Sequence, residues 1–233
     1  QGGGDVIPLL IAVDGPSGTG KSTACRAVAH RLHTHYLDTG AMYRVATLQV
    51  LRAGIDVTDD AAVANATADL PLVVNDDPHS TSVLLGGEDV SQEIRGPEVT
   101  RSVSAVSANP KVRANLVSLQ RRLAQQAGRC VVEGRDIGTV VLSDAPLKIF
   151  LTAAPEVRAR RRYEQDIAAG RTVIFEDILA DVQRRDHLDS TRATSPLRPA
   201  DDAIIVDTST MTLDDVITHL VELAEACEER MTR

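Results

Sequence analysis

Cysteine is scarce in this chain, lysine scarcer in proportion to its charge, and no long apolar run is present near its start. The three cysteines, Cys25, Cys130 and Cys227, are odd in number, widely spaced and form no C-x-x-C pair. That pattern excludes a disulfide framework and predicts reduced, buried thiols in a cytoplasmic protein. The apolar run at residues 6–13 falls far short of the roughly 20 residues that span a bilayer, and no basic segment precedes it, so no membrane association is expected. Residues 1–4, Gln-Gly-Gly-Gly, read as a flexible tail outside the fold. A formal net charge of -8 argues against a nucleic-acid partner, which selects a basic protein or a basic stripe. Lysine occurs only at Lys21, Lys111 and Lys148, so nearly all positive charge is arginine, the side chain suited to bidentate phosphate contacts. No Asn-Lys-x-Asp run for reading guanine occurs, which argues against a GTP-dependent switch protein.

What is present begins with a loop. Gly15-Pro16-Ser17-Gly18-Thr19-Gly20-Lys21-Ser22-Thr23 fits G-x-x-x-x-G-K-[ST] and directly follows the apolar run, which reads as a buried strand. The glycines let successive backbone N–H groups turn inward, and the following helix adds its positive end to the same hollow. Lys21 would meet the β- and γ-phosphates of a nucleoside triphosphate, and the Ser22 hydroxyl would face Mg²⁺. At 233 residues and 43% apolar content, the chain suits one α/β domain carrying insertions.

Helical spacing over residues 22–32 and a short strand at 35–38 complete a strand-loop-helix-strand unit. Further strands are expected at 130–132, 147–151 and 203–206, and helices at 110–127, 155–169, 175–188 and 213–230. Strands alternating with helices predict a parallel sheet covered on both faces. Residues 61–100 break the pattern: 71–75 and 82–85, separated by the turn residues 76–78 and followed by Gly86-Gly87, predict a small antiparallel hairpin. This acidic insertion is expected to add negative charge rather than phosphate contacts.

Open parallel sheets bind ligands at the carboxyl ends of their strands. Three segments there are rich in polar residues: Asp38-Thr39-Gly-Ala-Met-Tyr-Arg44, Glu133-Gly-Arg135-Asp136-Ile-Gly-Thr, and Arg185-x-x-x-Asp189-x-x-Arg192. Each has a plain alternative: a helix cap, a structural ion pair and a solvated salt-bridge ladder. Arg158, Arg161 and Arg162 share one helical face and could likewise be only a charged surface. Their sum favours a site, because an acidic chain gathers its arginines in segments that a sheet would bring around one crevice, enough for two phosphate-bearing ligands. His33 and His35 lack a third ligand nearby and read as a surface turn.

Together these motifs resemble bacterial cytidylate kinases over residues 6–230. The resemblance implies a P-loop kinase core at 5–60, 101–154 and 190–233, a monophosphate-binding insertion at 61–100, and a lid at 155–189. It implies transfer of the γ-phosphate of ATP, with Mg²⁺, to CMP or dCMP by a monomer. Asp38, Thr39, Arg44, Arg135 and Arg192 would serve the acceptor phosphate and its surroundings, Arg185 and Asp189 the ribose, and Ser104, Arg113 and Asp136 the base. Thr39 stands where relatives commonly carry Ser. Lys21 and the lid arginines Arg158, Arg161 and Arg162 would offset charge on the transferring group. A carboxylate beside an arginine, Asp136 with Arg113, complements the C4 amino donor and ring acceptors of cytosine and repels the C4 oxygen of uracil. Kinases of other acceptors, such as AMP, UMP or a small metabolite, are the alternative within the same fold.

Overall fold

A computed structural model describes residues 7–74, 76–80 and 82–233; Val6, Asn75 and the 1–4 tail of the sequence reading lie outside it. Strand β1 (Leu9–Asp14) is an almost wholly buried LLIAVD run, and the loop after it opens α1 (Lys21–Leu32). Then follow β2 (His35–Asp38), α2 (Thr39–Arg52) and α3 (Asp60–Thr67). A small sheet, β3 (Leu72–Val74), β4 (Val83–Leu85) and β5 (Glu88–Asp89), precedes α4 (Pro97–Ser107) and α5 (Pro110–Ala127). The chain closes with β6 (Arg129–Gly134), β7 (Leu147–Thr152), α6 (Pro155–Ala168), α7 (Phe175–Thr191), β8 (Ile204–Asp207) and α8 (Leu213–Met231).

The main sheet has the order β2-β6-β1-β7-β8, and every neighbouring pair is parallel. Helices α1 and α8 cover one face, through Ala24, Val28, Leu220 and Ala224; α2 and α5 cover the other, through Met42, Ala46, Leu116 and Ala124. The parallel sheet covered on both faces thus forms as the alternation of elements predicts. From β1 the chain crosses to β2 on one side and later to β7 and β8 on the other, so a crevice opens at the carboxyl end of β1.

The insertion differs from its expected form. Its hairpin gains a third strand, β5, paired with Leu84 and Leu85. Helices α3 and α4 were not anticipated, and α2 was foreseen only as the alternative reading of Asp38–Thr39 as a helix cap. For α2 the reason is burial on most sides: Met42 and Tyr43 face the main core while Val45 and Leu48 face a second cluster with Val83, Leu85 and Ile94. A helix held between two cores lacks the polar stripe by which amphipathic spacing is read.

Candidate active site

The loop between β1 and α1 is shaped by glycines that no other residue replaces. Gly15 has φ +150°, and a Cβ there would sit 2.2 Å from the carbonyl oxygen of Leu151; Gly18 has φ +82°, with its Cβ position 2.8 Å from that of Arg158. Lys21 folds back across the loop and donates from Nζ to the carbonyls of Gly15 (2.6 Å) and Gly134 (2.8 Å). Two buried carboxylates flank it. Asp14, at the end of β1, accepts from the amides of Ile137 (2.9 Å) and Gly138 (2.8 Å), and burial pushes its pKa up to about 6 against those amides and the Lys21 charge. Glu133, one strand over, is pushed up by burial and by Asp38, opposed by Lys21, and accepts a hydrogen bond from the Tyr36 hydroxyl.

Beside the loop lies a cavity of about 470 Å³ whose walls come from α2, α4, α5, the end of β6 and the end of α7. At one end Arg113 donates from Nη2 to Asp136 Oδ2 (2.8 Å) and from Nη1 to the Ser107 carbonyl (3.0 Å). The pair is almost sealed, its side chains 4% and 2% exposed, and the Tyr43 ring lies 4.8 Å from the guanidinium. Ser104 lines the same end.

The rest of the cavity is dominated by positive charge: Arg44, Arg95, Arg135, Arg185 and Arg192 all line it. Arg44 is anchored through Nη1 to the Ile94 carbonyl (3.0 Å) and Thr100 Oγ1 (3.1 Å), and Arg135 pairs with Asp189. Burial, then the nearby Arg185 and Arg192 charges, bring the pKa of Arg135 down to about 9; burial and Arg95 bring Arg44 down to about 10. Arg192 Nη2 and Arg113 Nε are buried with no protein partner among the described residues. Buried donors without partners are expensive, and a ligand's oxygens would satisfy them.

A second cavity of about 350 Å³ lies across the loop, between it and α6, α7 and α8. Arg158, Arg161 and Arg162 all line it, but they are not equivalent. Arg158 is buried, donating to the Ala153 carbonyl and paired with Asp186, so it joins α6 to α7 beneath the loop. Arg161 donates to the carbonyls of Gly18 (3.2 Å) and Thr208 (2.6 Å), and Arg162 to Asp181 (2.6 Å).

The donor set suits Mg²⁺ bound together with phosphates. Ser22, Asp38 and Glu133 line one cavity with Lys21, and a magnesium ion usually takes only one or two protein oxygens alongside substrate phosphates and water. Among the described residues no cluster of three His, Cys, Asp or Glu side chains could hold a resident metal, and the two histidines at 33 and 35 form none.

Against known families, residues 11–226 match the model of the cytidylate kinases. The chain belongs to the cytidylate kinase family. It is 68% identical to the cytidylate kinase of Corynebacterium efficiens, covering 95% of this chain and 96% of that one, and 57% identical to that of Mycobacterium leprae, covering 93% and 96%. Among solved structures, a gluconokinase from Sinorhizobium meliloti shares the fold at 14% identity, TM-score 0.51 and 97% coverage of each chain. An uncharacterized protein from Eubacterium ventriosum does so at 12% identity, TM-score 0.52 and coverage of 94% and 99%. Among the described residues no helix is long and apolar enough to cross a membrane.

In this cytidylate kinase family member the fold gathers Asp38, Thr39, Arg44, Ser104, Arg113, Arg135, Asp136, Arg185, Asp189 and Arg192 around one cavity with the loop residues Pro16, Ser17, Gly18, Gly20, Lys21, Ser22 and Thr23. Thr19 faces the second cavity, and Gly15 shapes the loop from below. Asp38 also caps α2, accepting from the Ala41 amide (3.2 Å), and Thr39 Oγ1 donates to the Glu133 carbonyl (2.8 Å), so the plain helix-cap reading holds alongside the cavity. Sequence reasoning missed Asp14, Tyr43, Glu133 and Arg95. The last corrects an expectation: the acidic insertion does bring positive charge to the site, through the turn at Glu93–Arg95. Glu133 stood inside a quoted motif, whereas Arg95 carried no signal in its own stretch.

Proposed function

We propose that the chain transfers the γ-phosphate of ATP to CMP or dCMP, giving ADP and CDP or dCDP. One observation carries the reading: five arginines and a sealed Arg113–Asp136 pair share a cavity with the phosphate-loop lysine, and Arg192 and Arg113 each hold a buried donor without a partner among the described residues. That cavity fits an anionic phosphate at one end and a base with mixed donors and acceptors at the other.

In this reading Arg44, Arg135 and Arg192 hold the acceptor phosphate, and Arg185 with Asp189 meets the ribose. Asp136 accepts from the C4 amino group of cytosine, held in place by Arg113, while Ser104 adds a hydroxyl to the same wall. The attacking phosphate oxygen needs no general base, since a phosphate monoester has its second pKa at about 6 and is largely ionised at neutral pH. Positioning and charge stabilisation then do most of the catalysis. Lys21 would leave the Gly15 and Gly134 carbonyls for the donor phosphates, whose oxygens also meet the loop amides between Gly15 and Thr23. Ser22, with Asp38 and Glu133 near it, would hold Mg²⁺, which would supply positive charge to offset that of the donor phosphates when bound. Arg161 and Arg162, on the wall of the second cavity, add positive charge on the donor side; Arg158 keeps the loop and the α6–α7 hairpin in register. The segment 155–189 acts as a lid that keeps water from the γ-phosphate. Three buried free cysteines support a cytoplasmic setting, and the chain is proposed to act as a monomer.

The test is ADP release from ATP and Mg²⁺ with CMP, dCMP, UMP, AMP and GMP offered separately, beside a control without acceptor. Release that rises with CMP and dCMP is expected. Preference for another acceptor would overturn the base assignment, and release independent of acceptor would overturn the kinase reading.

A further inference from the structure

Arg95 stands apart from the other arginines of the acceptor cavity. It comes from the insertion, on the turn between β5 and α4, while Arg44, Arg135, Arg185 and Arg192 come from α2, the end of β6 and the end of α7. Its backbone is fixed, with the amide donating to the Gln92 carbonyl (3.0 Å), and the neighbouring Ile94 carbonyl accepts from Arg44. The side chain is held loosely. Its contact is Asp38 Oδ2 at 3.4 Å, longer than the 2.7–2.9 Å usual for a charge-assisted N–H···O bond, and it is 55% exposed.

There is space on both sides of that contact. A smaller cavity of about 240 Å³, walled by Arg26, Ser80, Ser82 and Gln92, abuts the acceptor cavity. Asp38 and Arg95 are the residues common to both linings. The ion pair is thus a partition between two spaces, made of one nearly buried carboxylate and one exposed guanidinium. The carboxylate is independently fixed, because its other oxygen caps α2.

We infer that Arg95 is a further contact of the acceptor phosphate, and that it exchanges Asp38 for that phosphate when the acceptor binds. The inference rests on the proposed acceptor function. Without a ligand, Asp38 holds Arg95 at the margin of a cavity already crowded with like charge, and Arg44 feels its repulsion. A dianionic phosphate reverses the balance: it offers more charge than one carboxylate and shorter, better aligned acceptors. Only side-chain torsions need change, since the turn that carries Arg95 is tied to Arg44 already. Sequence position alone could not reveal this, because the residue sits in a segment whose own composition is acidic.

The experiment compares the native chain with Arg95→Met and Arg95→Lys in steady-state kinetics, with CMP varied at saturating ATP and then ATP varied at saturating CMP. It adds inhibition by inorganic sulfate competing with CMP, binding of cytidine by calorimetry, and the thermal midpoint. Arg95→Met is expected to raise the KM for CMP and the inhibition constant of sulfate by about tenfold or more, the loss expected for one hydrogen bond to a charged group. Arg95→Lys should recover part of that loss. The KM for ATP, cytidine binding and thermal midpoint should stay as in the native chain, because this exposed side chain supports no packing. A KM for CMP within twofold of native in Arg95→Met, or an equal weakening of CMP and cytidine, would overturn the inference alone. A native chain that phosphorylates a different acceptor would overturn the reading beneath it.

Discussion

Arg113 and Asp136 sit where a mistake in charge has nowhere to go. Both side chains are excluded from water, so neutralising either leaves its partner buried and unbalanced. Asp136→Asn keeps the size and one acceptor but removes the charge that opposes the C4 oxygen of uracil. The ratio of kcat/KM for CMP over UMP is expected to fall about tenfold or more in this variant, measured with both acceptors in one assay; an unchanged ratio would remove Asp136 from base selection. The arginine cluster predicts a pH effect of definite sign. In the free protein burial and neighbouring charges lower Arg135 to about 9, and a bound phosphate would restore its hold on the proton. Above about pH 9, binding must therefore take up a proton that free Arg135 has begun to lose. The affinity for CMP should be steady between pH 7 and 8.5 and decline as pH rises through 9, which calorimetric titration across that range would reveal. At this scale the phosphate loop was legible because nine consecutive residues carry its chemistry, and Asp136 because it lies in a glycine-bounded segment at a strand end, whereas Arg113 was expected only through the family resemblance. Arg95 was not legible, because its meaning comes from the approach of the insertion to Asp38.

Elements meet at the loop as well as within it. Helix α6 passes close enough that Gly18 and Arg158 leave no room for a methyl group between them, while Arg161 donates to the Gly18 carbonyl. The loop is tied to the α6–α7 hairpin again where Arg158 Nη1 donates to the Ser17 carbonyl (3.4 Å), while the Arg158–Asp186 pair holds the two helices of the hairpin together. Gly18→Ala places a side chain in a left-handed conformation, at a cost of roughly 1–2 kcal/mol, and forces its Cβ against α6. The expected outcome is loss of most ATP-dependent turnover together with faster proteolysis of segment 155–189; a variant with native turnover and native cleavage would show that loop and hairpin move independently. The helices of this hairpin were readable from their spacing, since each has a polar side. Helix α2 was not, because it has cores on two sides, and β5 was not, because two exposed acidic residues carry no strand signal.

At the level of the whole molecule, alternation of short apolar runs with helical patterns was enough to indicate a parallel sheet, because strands buried on both faces must be apolar throughout. The order of those strands was not written in any one of them. It depends on which crossovers run to which side of β1, and that is settled by packing between segments far apart in the chain. Here the position of β1 has a consequence for how the protein is made. Leu9 pairs with Arg129 on one flank, and Ile11 pairs with Leu147 on the other, so the central strand is synthesised long before either neighbour exists. At roughly 5–20 residues per second, the wait is on the order of ten seconds. During that interval an apolar six-residue strand lacks both of its strand neighbours, and its unpaired edges are open to any other nascent strand in reach. The strand that positions the phosphate loop in the finished enzyme is therefore the segment most in need of shelter while the chain is still emerging from the ribosome.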